Sequence, residues 1–300
     1  MARQKLWTIK QVLQWTADYF QTKAIPSARL DAELLLAHAL NKDRVHLYMN
    51  LDQPLSPDER EIYRAFVRRR AGREPVALIL GSREFWSMTL EVVPGILIPR
   101  PETETLVETV LQEIAGVDEL SILEIGTGSG AVALALAKEA PAASLIATDI
   151  DPAAVQLARS NARAVGVGES IRFVACDLFC ALRSGGRFNV ICSNPPYIPE
   201  DVLPSLEPEI TYFEPARALA AGPKGLDVIE RIAAEAPDFL RDDGSLIMEI
   251  GDDQPDAVTE ILLSEERFTD VKIIRDLAGK PRVVKARRVP AGQPPEGPHQ

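Results

Sequence analysis

The chain has 300 residues, of which 46% are hydrophobic and 26% charged, a composition typical of a globular protein with one large or two smaller domains. No stretch reaches the roughly 18 to 20 uninterrupted apolar residues that a membrane-spanning helix needs. The first seven residues lack the apolar segment of a secretory signal. We therefore expect a cytoplasmic protein with no membrane partner.

The net charge of −11 is unevenly distributed, because residues 1–90 carry +4 and the remaining 210 carry −15. An acidic region repels the phosphate backbone, whose attraction to basic groups supplies most non-specific affinity for nucleic acid. The charge therefore weighs against nucleic acid as the direct substrate. Arg68, Arg69, Arg70 and Arg73 form a small basic cluster, which fits either a solvated helix end or a partner-binding patch.

The three cysteines, Cys176, Cys180 and Cys192, lie close together in sequence, whereas the three histidines lie far from them. A metal site built from these groups is therefore not expected. We expect small buried thiols in a reducing compartment and no metal.

The first 75 residues favour helices. Ser56-Pro57-Asp58-Glu59 places a serine cap before a proline at the first helical position and a glutamate at the third. Residues 83–98 differ, because two short apolar runs flank Pro94-Gly95, a pattern that predicts a β-hairpin between two domains. A helix over 102–115 should follow.

From residue 121, short apolar runs alternate with amphipathic segments. The predicted strands are 121–125, 144–149, 171–175, 188–193, 244–250, 270–275 and 281–287, and the predicted helices lie near 129–139, 153–164, 225–239 and 254–263. This alternation indicates a parallel sheet covered on both faces. Residues 276–280 leave room only for a turn, so the last two strands should form an antiparallel hairpin. Residues 290–300 predict a disordered tail.

A glycine-rich turn follows the first of these strands. Gly126-x-Gly128-x-x-Ala131, with Asp149 about twenty residues further on, fits a dinucleotide-binding fingerprint. The acid Glu124 followed by Gly-x-Gly-x-Gly instead resembles motif I of class I methyltransferases, whose loop binds S-adenosylmethionine. In both interpretations Asp149 would bind ribose hydroxyls, and glycine lets the ligand approach the backbone.

Two further acids follow strands in this region. Asp151-Pro152 predicts a helix start, so Asp151 is a weaker ribose candidate than Asp149. Asp177 ends the third strand, where methyltransferases commonly bind the adenine amino group. An N-cap for the next turn explains Asp177 equally well.

The fourth strand ends in Ser193-Asn194-Pro195-Pro196-Tyr197. This segment resembles motif IV of methyltransferases that act on a nitrogen conjugated to a planar π system. The Asn194 side-chain oxygen and the Pro195 carbonyl would accept the two N–H bonds, so that the lone pair faces the methyl donor. The prolines stiffen the loop, and Tyr197 offers a flat face to the amide. A nicotinamide-dependent dehydrogenase would not need this motif.

Further motifs occur in the order found in one family. Ile-Pro-Arg-Pro-Glu-Thr-Glu spans 98–104, and Phe-Glu-Pro-Ala-Arg-Ala-Leu spans 213–219. Over residues 5–288 the chain resembles the release-factor glutamine methyltransferase family (HemK/PrmC type). The resemblance implies an α/β fold, namely a class I methyltransferase (Rossmann-like) seven-stranded, mostly parallel sheet with an antiparallel last strand. The implied domains are a helical recognition domain (1–82), a linking β-hairpin (83–100), a catalytic domain (101–289) and a disordered tail (290–300).

The resemblance also implies a reaction, namely N5-methylation of the glutamine in the Gly-Gly-Gln motif of class I peptide-chain release factors. S-adenosyl-L-methionine would be the donor and S-adenosyl-L-homocysteine the product. An amino-group (N6-adenine type) nucleic-acid methyltransferase is the alternative. We expect a monomer without direct nucleic-acid contact, whose N-terminal domain helps to hold the release factor. Phe213-Glu214-Pro215 and the acidic loop before it would be a lid over the glutamine or an ordinary surface connection.

The residue roles follow from the same motifs. The expected cofactor contacts are Glu124, Gly126, Thr127, Gly128, Ser129, Gly130, Asp149, Asp177, Leu178 and Asn194. Asn194, Pro195 and Tyr197 are the expected catalytic residues, and with Pro196 they form the substrate-amide site. Leu178 departs from the family pattern, which often has an aromatic residue there, but a leucine can still cover adenine by apolar contact.

Overall fold

The computed structural model describes residues 7–290, which form two compact units. The N-terminal unit contains Met1–Ser82 together with Glu207–Phe213, and the larger unit contains Arg83–Leu206 together with Glu214–Gln300. Except for Pro290, the predicted tail lies outside the described residues. Within 7–290 no helix is long and apolar enough to cross a membrane.

The elements follow one another along the chain in the order that the sequence predicts, helices first and then alternating strands and helices. The helices are α1 (Ile9–Thr22), α2 (Ala28–Ala39), α3 (Arg44–Met49), α4 (Pro57–Ala71), α5 (Val76–Leu80), α6 (Glu104–Glu113), α7 (Ala131–Glu139), α8 (Pro152–Val165), α9 (Pro208–Phe213), α10 (Asp227–Glu235) and α11 (Pro255–Ser264). The strands are β1 (Ser82–Phe85), β2 (Met88–Glu91), β3 (Ser121–Ile125), β4 (Ser144–Asp149), β5 (Ile171–Ala175), β6 (Phe188–Ser193), β7 (Leu240–Glu249), β8 (Phe268–Arg275) and β9 (Pro281–Arg288).

The N-terminal unit is helical, as predicted. Helix α4 begins as its sequence indicates: the Ser56 side chain accepts the Glu59 N–H, and the Glu59 carboxylate accepts the Ser56 N–H at 2.7 Å. This reciprocal capping box satisfies two backbone donors at the helix start. Leu13, Phe20 and Leu36 are fully buried in the core that these helices share.

The basic cluster at the end of α4 is mostly engaged within the protein. Arg70 is 4% exposed and pairs with Asp31 and Glu209, each at 2.7 Å. Arg73 also pairs with Glu209, at 2.5 Å, and Arg69 pairs with a neighbouring glutamate. Neither a solvated helix end nor a free binding patch describes Arg70 and Arg73, because their charges are paired inside the N-terminal unit, whereas the Arg69 side chain is 42% exposed.

The hairpin lies within the expected segment but turns at a different place. Its strands β1 and β2 are joined by Trp86 and Ser87, whose φ angles are 49° and 54°. Two successive positive φ angles are typical of the two-residue turns that join hairpin strands, because the backbone twist of such a turn matches the twist of the strands. Pro94 and Gly95 form a turn, as predicted, but residues 96–98 form no strand, so the prediction that this turn joins the two strands of the hairpin is wrong.

The seven-stranded sheet of the larger unit has the order β5-β4-β3-β6-β7-β9-β8. Neighbouring strands from β5 to β7 are parallel, and β9 runs antiparallel to both β7 and β8. Successive residues of β3, Ile122 and Leu123, pack into different hydrophobic clusters because strand side chains alternate between the two faces. The predicted mostly parallel sheet with an antiparallel last strand is confirmed.

Strand β7 begins four residues earlier than predicted. Asp242-Asp243-Gly244 suggests a turn, but the chain continues in the strand through a register shift, with Leu240 opposite Phe188 and Ser245 opposite Val190. Asp243 has a φ of 60° there. Such a bulge accommodates polar residues in a strand without ending it.

The three cysteines differ in exposure. Cys192 is buried in β6, Cys176 is partly buried, and Cys180 is exposed. The expectation of buried thiols is wrong for Cys180, because this residue lies in a turn after β5 where its N–H donates to the Asp177 carbonyl.

Candidate active site

The site forms where three strands end side by side. Ile125, the last residue of β3, is in register with Thr148 on β4 and with Ser193 on β6. Because β4 and β6 flank β3 on opposite sides, the connections diverge at this edge and leave a crevice. Open α/β sheets bind ligands at such a switch point.

A cavity of 310 Å³ lies at this edge of the larger unit. Its lining combines the three strand ends with the segment after β2 and the start of α10. The cavity is lined by Gly95, Ile96, Leu97, Ile125, Gly126, Gly128, Thr148, Asp149, Ile150, Asp151, Ala154, Cys176, Asp177, Leu178, Ser193, Asn194, Pro195, Pro196, Pro215, Arg217, Ala218, Val228, Arg231 and Ile232.

The glycine turn between β3 and α7 requires glycine for two reasons. Gly126, Gly128 and Gly130 have φ angles of 75°, 56° and 89°, which L side chains rarely adopt. A Cβ at Gly128 would meet no atom within 4 Å, so the backbone faces open space there. A Cβ at Gly130 would lie 2.7 Å from Leu134 Cδ1, so this glycine lets α7 begin against its neighbours.

Asp149, at the end of β4, holds the glycine turn and faces the cavity. One carboxylate oxygen accepts the Gly128 N–H and the other the Asp151 N–H, both at 2.8 Å. Burial raises the pKa of this carboxyl, while the two backbone donors lower it. Each oxygen has further lone pairs for ligand hydroxyls.

The other two acids of the cavity are held differently. Asp151 caps α8 by accepting the Ala153 N–H at 3.0 Å and also pairs with Arg217, which confirms the predicted helix start. Asp177 pairs with Arg231 at 2.8 Å. Its side chain therefore bonds to an arginine of α10, whereas the turn after it is closed by the Asp177 backbone carbonyl.

Four of the expected cofactor contacts lie behind the cavity wall. Glu124, Thr127, Ser129 and Gly130 are not lining residues. The Thr127 hydroxyl donates to the Glu124 carboxyl at 2.6 Å. Glu124 is 3% exposed, and this burial raises its pKa to about 7. These residues support the turn from within the core.

Leu178 lines the cavity and is 8% exposed, with a φ of 44° that turns the chain sharply after β5. Ile150, which follows Asp149, also lines the cavity and is 64% exposed. Ile150 was missed in the sequence analysis, although an apolar residue directly after Asp149, the predicted ribose acid, was a detectable signal. Ile96 and Leu97 also line the cavity. The sequence did not place them there because residues 83–98 predicted a hairpin.

The turn after β6 is fixed by several hydrogen bonds. The Ser193 hydroxyl donates to the Ile125 carbonyl at 2.8 Å, which ties the ends of β6 and β3 together. The Asn194 side-chain nitrogen donates to the Thr103 hydroxyl at 3.2 Å. Pro195 is buried and lines the cavity with Asn194 and Pro196. Asn194 thus lines the same cavity as the glycine turn.

Tyr197 does not line the cavity but is anchored at both ends. Its hydroxyl donates to Glu249 Oε1 at 3.2 Å, and its carbonyl accepts from Gln254 Nε2 at 2.9 Å. Burial, followed by the nearby Glu249 carboxylate, raises the pKa of Tyr197, so the phenol keeps its proton.

The segment around Glu214 is divided between the units. Glu214 pairs with Arg100 at 2.5 Å in the larger unit, and its side chain is 1% exposed. The preceding Glu207–Phe213 belongs to the N-terminal unit. The lid stays a prediction.

Each of the two units contains a segment that matches a known protein family. Residues 11–81 match the model of the PrmC N-terminal domain, and residues 101–203 match that of the methyltransferase small domain. The release factor glutamine methyltransferase of Geobacter sulfurreducens is 41% identical over 283 residues, covering 94% of this chain and 98% of the relative. The chain belongs to the release factor glutamine methyltransferase family. Another member, from Vibrio cholerae, is 42% identical over 277 residues, covering 92% of this chain and 95% of its own.

A solved structure supports the fold of this family member. The hMettl16 catalytic domain, solved in complex with MAT2A 3'UTR hairpin 1, matches with a TM-score of 0.55 at 16% identity, covering 78% of this chain and 84% of its own. At this identity the likeness concerns the fold alone, a class I methyltransferase sheet.

Proposed function

We propose that this chain transfers a methyl group from S-adenosyl-L-methionine to the side-chain amide nitrogen (N5) of a glutamine in class I peptide-chain release factors, within the Gly-Gly-Gln motif. The observation that carries this proposal is the Asn194–Tyr197 turn, which ends β6 beside the glycine turn of β3 in a member of the release factor glutamine methyltransferase family. We also propose that the enzyme acts as a monomer in the cytoplasm, where its substrate works.

The cavity fits the methyl donor. S-adenosylmethionine supplies a sulfonium-bound methyl group that a nucleophile can attack. Gly126 and Gly128 leave room for it along the backbone, and Asp149 offers acceptors to ribose hydroxyls. Asp151 and Asp177 are paired with arginines that also line the cavity. Asp149 is the lining carboxylate without an arginine partner among residues 7–290, and its charge attracts a cationic ligand.

The adenine would lie between apolar and acidic groups. Leu178 and Ile150 both line the cavity and supply apolar surface for a planar base. Asp177 lines the same cavity and could accept from the amino group, although its bond to Arg231 occupies part of the carboxylate. Leucine at 178 is therefore compatible with adenine binding.

The amide of a glutamine is a poor nucleophile because its lone pair is delocalised into the carbonyl. The Asn194 side-chain oxygen and the Pro195 carbonyl would accept its two N–H bonds and orient the lone pair. As the nitrogen attacks, positive charge grows on it, and these two acceptor dipoles stabilise that charge. The methylated nitrogen then loses its proton readily, so no strong base is needed.

The N-terminal unit is proposed to help hold the release factor, and its extent is proposed as residues 1–82, followed by a linker at 83–100 and the catalytic domain at 101–289. Support comes from the match of residues 11–81 to a domain distinct from the methyltransferase model. The larger unit alone contains the whole cavity.

Mass spectrometry of a purified release factor tests the proposal. After incubation with the enzyme and S-adenosylmethionine, the peptide containing Gly-Gly-Gln should gain one methyl group on the glutamine. A release factor with that glutamine replaced by asparagine is the matched control and should gain none. Parallel reactions contain single-stranded DNA or RNA with unpaired adenines, and label found only in nucleic acid would overturn the proposal.

A further inference from the structure

Two side chains outside the sequence motifs of the reactive turn come together beside it. Met248 on β7 is in register with Ser193 on β6, so Glu249 and Asn194 are adjacent at the ends of neighbouring strands. Thr103 ends the short 3-10 helix that precedes α6 and is 5% exposed. Glu249 is 1% exposed. A carboxyl buried this completely is costly unless hydrogen bonds or charges compensate it.

The hydrogen bonds connect both side chains to the reactive turn. Tyr197 donates its hydroxyl proton to Glu249 Oε1, and Asn194 Nδ2 donates to Thr103 Oγ1, each at 3.2 Å. Glu249 Oε2 accepts no bond within normal distance in the described part of the chain. Burial raises the pKa of this carboxyl, and the nearby Thr103 hydroxyl opposes that effect.

The direction of these bonds decides how the Asn194 amide is oriented. A carboxyl oxygen that carries no proton only accepts hydrogen bonds, so Tyr197 points its hydroxyl proton at Glu249 Oε1. Thr103 Oγ1 accepts an N–H of Asn194, which fixes the nitrogen of the amide toward Thr103 and leaves Oδ1 for the substrate. Arg282 lies near Glu249 and partly opposes the effect of burial on the pKa of this carboxyl.

We propose that Glu249 and Thr103 are positioning residues, which orient the Asn194 amide so that Oδ1 meets the substrate nitrogen and which hold the Tyr197 ring. This inference rests on the proposed function and deepens its account of the same site. Neither residue touches the reacting atoms, so their loss should lower the turnover number and leave the binding of S-adenosylmethionine largely unchanged.

Variants of Thr103 test the hydrogen bond between Thr103 and Asn194. Thr103→Val removes the hydroxyl at nearly constant volume and should lower kcat about 10- to 100-fold, because small misplacements of a catalytic group have effects of this size. Thr103→Ser keeps the hydroxyl and should restore kcat to within about threefold of wild type. Thr109→Val is the matched control, since Thr109 is 6% exposed and bonds only within α6, to the Thr105 carbonyl. Equal loss in the valine and serine variants would overturn the proposal.

Glu249→Gln tests the hydrogen bond between Glu249 and Tyr197. A glutamine has nearly the same shape, but its amide can donate as well as accept, so the direction of the bonds is no longer fixed. We expect kcat to fall about tenfold with a KM for S-adenosylmethionine within about twofold of wild type. A raised KM for the donor with unchanged kcat would contradict a positioning role. Thermal unfolding of each variant identifies any that fail to fold.

Side-chain amide exchange gives a readout that needs no activity. In a ¹⁵N-labelled protein, the Asn194 NH2 signals are those missing from Asn194→Asp. Their solvent exchange should be several-fold faster in Thr103→Val than in wild type or Thr103→Ser, and unchanged rates would overturn the network. If the wild-type enzyme methylates no release factor, the proposed function is wrong. The exchange rates would still show whether Thr103 holds the Asn194 amide.

Discussion

At the scale of single residues, we expect the reaction to depend most directly on Asn194. This residue lines the cavity and its side-chain nitrogen is hydrogen-bonded to Thr103, so Oδ1 is the acceptor that would meet the substrate. Asn194→Ala should abolish detectable transfer while changing the affinity for S-adenosylmethionine less than about tenfold, because most of the cofactor surface lies elsewhere. Single-turnover transfer and calorimetry measure the two effects, and near-normal turnover would refute this assignment.

Asp149 should have the opposite signature. Its carboxylate already orders the glycine turn through the Gly128 N–H, and the ribose would add further bonds to the same oxygens. Asp149→Ala should weaken S-adenosylmethionine binding by roughly tenfold or more, which is the size of one or two lost bonds to a charged group. Calorimetry provides the test. An unchanged dissociation constant would reject the ribose role.

At the scale of elements, the junction of β3 and α7 depends on Gly130. A Cβ there would lie 2.7 Å from Leu134 and 3.1 Å from Ala158, at a φ of 89°. Gly130→Ala should therefore cost roughly 2 to 5 kcal/mol of unfolding free energy through strain and overpacking together. Urea unfolding measures the loss.

Gly166 provides the control for this prediction. It ends α8 with a φ of 87°, and an added Cβ would meet nothing within 4 Å. Gly166→Ala should therefore cost only the backbone strain, roughly 1 to 2 kcal/mol. If the two variants lose equal stability, the close approach at Gly130 has no energetic importance.

The elements also show what the sequence can and cannot predict. The strands that end in Ile125, Asp149 and Ser193 are apolar runs, and local pattern was sufficient to find them. The turn at Trp86-Ser87 was missed because neither residue favours the positive φ angles that this turn needs, whereas Pro94-Gly95 is a common turn pair. Glu249 was missed because its partners lie far away in sequence and meet it only when the sheet forms.

At the scale of the whole molecule, Glu124 should link stability to pH. Its folded-state pKa of about 7 lies above the ordinary value of 4.5, so the folded protein binds an extra proton between these pH values. The free energy of unfolding should therefore fall by roughly 3 kcal/mol through this group as pH rises from about 4.5 to 7. Above pH 7 this contribution should stay constant. Burial is the main cause, since the Thr127 hydroxyl acts in the opposite direction.

Glu124→Gln isolates this contribution from those of other acids. The variant keeps the shape but carries no charge, so its unfolding free energy should change less between pH 5 and pH 8 than that of wild type. Denaturant unfolding at both pH values gives the comparison. An identical pH dependence in the two proteins would mean that Glu124 titrates as an ordinary exposed carboxyl.

The two units differ in what they contain. The larger unit contains the whole cavity, and the N-terminal unit takes Glu207–Phe213 into its own structure, with Glu209 paired to Arg70 and Arg73. The sequence predicted two domains from the change in pattern after residue 82. The sequence did not predict that Glu207–Phe213 belongs to the N-terminal unit, because the arginines that pair with Glu209 lie far away in sequence.

A structure of the enzyme with S-adenosyl-L-homocysteine and a release factor bound is the most direct test of the reactive site. We predict that the glutamine amide nitrogen lies within hydrogen-bond distance of Asn194 Oδ1 and of the Pro195 carbonyl, facing the sulfur of the product. A complex in which the glutamine lies away from residues 194–197, or in which the Asn194 nitrogen faces the substrate, would contradict it.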